Sequence, residues 1–143
     1  MPKEERALET KAAPETVWKI WSDASGWPAW NPDVKAMTLD GPFVAGATGA
    51  MTTRAGTHKI RIAALEPGRS FRLDTSPVPL TQFAFECEVV PLGAGSSWIS
   101  QAITMRGPLA PLFSRLMSKR IADGFVPLLR GLADAAERSE QVP

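Results

Sequence analysis

The hydrophobic pattern changes period along the chain. From Leu109 onward, apolar side chains recur in steps of three and four: Leu109, Leu112, Phe113, Leu116, Met117 and Ile121, then Phe125, Leu128, Leu129 and Leu132. That spacing predicts one long amphipathic helix over residues 107–136. Pro108 and Pro111 fit its first turn, where backbone N–H groups have no intrahelical partner. At 1.5 Å per residue the helix would be about 40 Å long, so it must lie across something. Gly124 and Pro127 interrupt it and predict a bend between Asp123 and Pro127. The arm before the bend is expected to line a cavity, and the arm after it to lock against a sheet. The bend itself is the natural place for a gate.

Ahead of the helix the period is two. Over residues 58–66, His58, Ile60, Ile62 and Ala64 alternate with Lys59, Arg61 and Ala63. Phe71 and Leu73 share a phase over 70–75. Phe83, Phe85, Cys87 and Val89 oppose Gln82, Ala84, Glu86 and Glu88 over 81–90. Ile99, Gln101, Ile103 and Met105 oppose Trp98, Ser100, Ala102 and Thr104 over 97–105. Residues 5–12, 33–40 and 48–54 complete a predicted set of about seven strands. Gly41-Pro42, Gly56, Pro67-Gly68 and residues 91–95 mark turns. Ser76-Pro77-Val78-Pro79 is expected to be a loop, because proline cannot donate to a ladder.

Between the first two strands, Ala13-Pro14-Glu15 starts a helix carrying Val17, Trp18, Ile20 and Trp21. Trp27-Pro28-Ala29-Trp30-Asn31-Pro32 is too rich in proline for a strand or a long helix and reads as a compact turn. Strands joined by short turns imply an antiparallel meander. Only the long helix is large enough to cover its apolar face. The expected class is therefore α+β, a single domain over residues 1–143.

Composition narrows the function. Sixteen basic and 15 acidic residues give a formal charge of +1, which offers no basic footprint for a nucleic acid. No apolar run reaches the length of a membrane span. The charged start, MPKEERALETK, has no apolar signal core, so the cytoplasm is the expected location. One cysteine and one histidine can make neither an internal disulfide nor a four-ligand zinc site of the usual kind. No metal and no cofactor is implied.

The stretch Ala13-Pro14-Glu15-Thr16-Val17-Trp18, then Ser22-Asp23, then Trp27-Pro28-Ala29-Trp30-Asn31-Pro32, resembles the START-like (SRPBCC) superfamily, and most closely its polyketide cyclase/dehydrase-like group. Gly46 and Gly49 fit the glycines that usually follow. The resemblance implies a helix-grip fold, in which a curved antiparallel sheet wraps a C-terminal helix around a ligand cavity. It also implies a hydrophobic small-molecule partner, lipid or polyketide-like. It does not fix the chemistry, since one scaffold hosts carriers, cyclases and dehydratases.

Against that frame His58 is the candidate catalytic residue, a general acid or base if its face is the concave one; otherwise it is a strand-end histidine bonded to a loop or water. Gln101 is an amide in an apolar row and needs a partner, from a ligand or a neighbour. Arg120 lies at the apolar stripe, where it either meets a ligand carboxylate or phosphate or covers the stripe with its stem. Trp27 and Trp30 suit a cavity mouth. Phe71, Phe83, Phe85 and Ile103 from the sheet, with Phe113, Leu116 and Met117 from the helix, complete the expected ligand-binding set. Cys87 reads as an inert small hydrophobe. Three functions stand open: a binding module, a cyclase- or dehydratase-like enzyme, and an interaction domain with a collapsed cavity. Nucleic acid and stable membrane insertion are not expected, and monomer and homodimer are both compatible.

Overall fold

The computed structural model describes residues 3–141. Seven strands form one antiparallel sheet: β1 (Glu4–Thr10), β2 (Ala36–Leu39), β3 (Thr48–Thr53), β4 (Gly56–Glu66), β5 (Ser70–Val78), β6 (Thr81–Gly93) and β7 (Ser96–Arg106), in the spatial order β1-β7-β6-β5-β4-β3-β2. Every neighbour is a hairpin partner except β1, which pairs with β7 and puts β1 and β2 at opposite edges. The segment between β1 and β2 must therefore cross the whole sheet. It does so as helix α1 (Pro14–Ser22) and a short 3-10 helix (Ala24–Ala29). The C-terminal region returns across the same face as α2 (Ala110–Asp123) and α3 (Phe125–Gln141). No helix among the described residues is long and apolar enough to cross a membrane.

The predicted bend is present, one residue wide. Gly124 separates the two helices, and its N–H is shared between the carbonyls of Arg120 and Ile121. Pro127 sits in the first turn of α3, where its missing N–H costs no bond. The loop expected at residues 76–79 is a correction: β5 continues to Val78, which pairs with Thr81. The proline is accommodated because the register shifts between Thr75 and Val78, so Pro77 owes the ladder no donor.

Strand alternation puts Ile60, Ile62, Leu73, Val89, Ile99 and Met105 on the helix-facing side, all buried. A register shift between Ile62 and Ala64 bends β4 and helps curl the sheet. At one end this face is solidly packed. Phe71 is its hub, with ring centroids 5.4 Å from Trp21, 5.2 Å from Phe43 and about 6 Å from Trp18 and Trp27. Trp27 is fixed further by its indole N–H, which donates to the Trp21 carbonyl at 2.8 Å.

The C-terminus of α3 closes the β1–α1 corner with two carboxylates. Glu140 accepts from the Ala13 N–H (2.8 Å) and the Thr16 hydroxyl (2.7 Å). It thereby caps α1, whose own N-cap residue, Ala13, has no side chain able to do so. Glu137 accepts from the Thr10 hydroxyl and the Lys11 N–H.

Candidate functional site

Away from that corner α2 touches the sheet mainly along β7 and β1, and the contact is incomplete. A cavity of about 660 Å³ opens between the inner faces of β3–β7, the segment 30–35, and the bend between α2 and α3. Its walls are mainly aromatic and aliphatic: Trp27, Trp30, Phe71, Phe83 and Phe85, with Met117, Ile121, Phe125 and Leu128 from the helices. Phe85 and Phe125 meet across it with ring centroids 6.0 Å apart.

The polar groups are few and placed unevenly. Gln101 lies on the sheet floor beside Cys87, whose thiol donates to the Gln101 Oε1 at 3.5 Å. Burial pushes the Cys87 thiol well above its usual value, and the nearby Glu86 charge adds to the shift. The thiol stays protonated, so Gln101 Oε1 is engaged and its amide NH₂ is the group left for the cavity. Thr75 also lines the wall, but its hydroxyl is spent on the Lys59 carbonyl.

The rest of the polar lining is Asn31, Asp33, Lys35, Thr53, Arg54, His58 and Arg120, and the exposed ones, Asp33, Lys35, Arg54 and Arg120, mark the mouth. The Asn31 side-chain oxygen accepts from the Asp33 N–H at 2.9 Å, a local turn that turns this segment toward the bend. Burial holds the Asp33 carboxyl above the usual carboxylate range, and Arg54 partly opposes the shift.

The residues expected from sequence divide. His58, Trp27, Trp30, Phe71, Phe83, Phe85, Gln101, Met117 and Arg120 all line this one cavity. Ile103 is fully buried in the core, and Phe113 packs at its edge, neither of them on the cavity wall. Leu116 is a correction: its side chain is 65% exposed, on the outer surface of α2. The helical stripe is real, but α2 rolls so that small residues, Ala110, Ser118 and Ala122, face the sheet. The cavity wall is thus built around the bend, from the end of α2 and the start of α3, not from the whole first arm. Sequence reasoning did not single out Lys35, Arg54 or Asp33, because their positions flank turns and carry no periodic signal.

His58 is half-buried; its Nε2 is covered, lies near Gly56 and, among the described residues, has no hydrogen-bond partner. Among the described residues no carboxylate bonds to it. The buried Trp30 indole N–H is likewise unpartnered.

A curved antiparallel sheet closed over a cavity by a C-terminal helix pair defines the helix-grip class of α+β proteins. Within that class, the chain belongs to the family described as polyketide cyclase/dehydrase and lipid transport, whose family model matches residues 1–137. Comparison with curated proteins by sequence finds no match. Among solved structures, a protein of Thermobifida fusca is 25% identical with a TM-score of 0.79, covering 96% of this chain and 95% of that one. Norcoclaurine synthase from Thalictrum flavum is 17% identical with a TM-score of 0.74, covering 99% and 94%. An aromatase/cyclase from a Streptomyces species is 17% identical with a TM-score of 0.75, covering 96% and 94%. The last two likenesses speak to the fold alone.

Proposed function

We propose that the protein binds a hydrophobic small molecule, lipid or polyketide-like, in the cavity between sheet and helices. One observation carries this reading: a continuous, largely aromatic cavity of about 660 Å³ in the interior of a small domain. That is the size and lining of a small-molecule site, in which a few polar groups orient an apolar ligand. A collapsed interior would have left no such space.

The geometry supports binding over cyclase- or dehydratase-like catalysis. A general base needs reach to a substrate proton and gains from a group that orients it. The covered Nε2 of His58 offers neither. Cys87 is held protonated by burial and is no nucleophile.

The test is occupancy of the cavity. Native mass spectrometry of the purified protein is expected to show a co-purified apolar compound or, with the protein empty, uptake of Nile red with a blue-shifted emission. Met117→Trp, which projects a larger ring from the wall into the space, is expected to abolish that uptake while leaving the circular dichroism unchanged. Equal dye binding in a folded Met117→Trp variant would rule out this cavity as the site.

A further inference from the structure

The charges on the cavity wall are not balanced. Lys35, Arg54 and Arg120 line the mouth against the single carboxylate of Asp33. They arrive from three separate parts of the fold: the segment before β2, the β3–β4 turn, and the last turn of α2. Their convergence is tertiary and is not the basic edge of one helix.

Among the described residues, none of the three lies within salt-bridge distance of a carboxylate. Among the described residues, the ion pairs are Lys3–Glu86, Arg6–Glu4, Arg6–Asp123 and Arg72–Asp74, and none of them involves the mouth. Among the described residues no side-chain hydrogen bond engages these three cations either. Arg6, by contrast, is paired: it reaches the end of α2 at 2.8 Å from Asp123. The one acid left at the mouth, Asp33, is partly desolvated beside Gly124, which weakens its hold on a proton-free, charged form. On the sheet floor the Gln101 amide NH₂ is again a donor left for a ligand.

A cavity whose interior is aromatic and whose mouth presents unpaired cations is complementary to one kind of molecule. Guanidinium groups favour planar oxyanions, because their donors match both oxygens of a carboxylate. Apolar walls set back from the mouth leave the charge at the rim, where it need not be fully desolvated. We infer that the ligand is an amphipathic carboxylate, held with its anionic end at the mouth by Arg54, Arg120 and Lys35 and its apolar body along Phe83, Phe85 and Leu128. This rests on the binding function proposed above and specifies its ligand class.

The test compares three ligands with one tail and different heads: dodecanoate, dodecanol and dodecylamine. Each is titrated against Nile red bound to the full-length protein. Dodecanoate is expected to displace the dye at about tenfold lower concentration than dodecanol, with dodecylamine weakest. The advantage should shrink to about twofold in Arg54→Gln/Arg120→Gln and with added salt. Arg115→Gln, on α2 but off the cavity wall, should change nothing. Dodecanoate and dodecanol displacing equally would overturn the carboxylate assignment and leave the cavity as a binding site. Failure of all three ligands, with no dye uptake, would remove the binding function itself. A double variant that binds dodecanol normally but keeps the full dodecanoate advantage would show that other groups hold the head.

Discussion

The two helices on either side of Gly124 have similar amphipathic sequences and opposite roles. α3 buries Phe125, Leu128, Leu129, Leu132, Ala133 and Ala136 against β1, β7 and α1. α2 buries only Ala110, Ser118 and Ala122, and leaves Leu112 52% and Leu116 65% exposed. The difference lies in what each has to pack against. α3 meets a corner already filled by Val17, Ile99 and Trp21, so its leucines close a core. α2 lies against β7 and β1 through small residues, and its larger side chains fall beside the cavity or in solvent. One helix is a structural wall and the other is a cover.

This contrast can be broken most strongly in α3. Leu132 is 0% exposed, and Leu132→Ala is expected to cost about 2–5 kcal/mol in urea denaturation. The matched Leu116→Ala in α2 should fall within about 0.5 kcal/mol of the parent. Comparable costs at the two sites would erase the distinction between wall and cover.

Gly131 sharpens the same point. A Cβ there would lie 2.0 Å from the Trp30 carbonyl oxygen, a backbone atom that cannot swing away. Gly131→Ala should therefore destabilise by roughly 1–3 kcal/mol through a shift of α3 against the tryptophan turn, read as a lowered melting temperature.

Smaller is the effect of Glu140→Gln, which keeps the shape and weakens the cap on α1. The expected loss is about 0.5–1 kcal/mol, held low by solvent exposure. Its pH dependence has a definite sign. The bonds from the Ala13 N–H and then the Thr16 hydroxyl lower the folded-state pKa of Glu140 below its usual value. Its contribution is thus fully present above the ordinary glutamate range and is lost as pH falls through the lowered value. Parent and variant should converge in stability in acid; a constant gap down to the lowest pH would mean that the carboxylate charge is not what caps the helix.

Least visible in stability is the bend. A Cβ at Gly124 would meet the Ile121 carbonyl at 3.2 Å, the Asp33 carboxylate at 3.6 Å and the Arg120 carbonyl at 3.9 Å. Gly124→Ala/Pro127→Ala should leave the fold within about 1 kcal/mol of the parent and slow ligand exchange, measured by stopped-flow dye release. Unchanged on- and off-rates would count against any gating by the cover.

Much of this was legible in the chain. Period-two alternation located the sheet and its inner face, and the three-four spacing located the helix. Gly124 and Pro127 placed the bend, because local backbone chemistry permits little else there. The aromatic members of the cavity were legible for the same reason: Phe71, Phe83 and Phe85 share strand phases. Leu116 was misplaced because helical spacing defines a stripe but not the roll of that stripe against its neighbours. Pro77 reads as a loop residue from sequence because a local rule about donors ignores a shifted register.

What the sequence determined by itself was therefore whatever repeats along the chain: element type, face, order and the break in the last helix. These follow from steric and hydrogen-bonding rules acting over a few residues. Tertiary structure alone decided that the two halves of that helix would differ, that Glu140 would cap a helix more than a hundred residues earlier in the chain, and that Lys35, Arg54 and Arg120 would meet at one mouth. Such convergence depends on distances between elements, which sheet curvature and packing set and which leave no periodic trace in the order of residues.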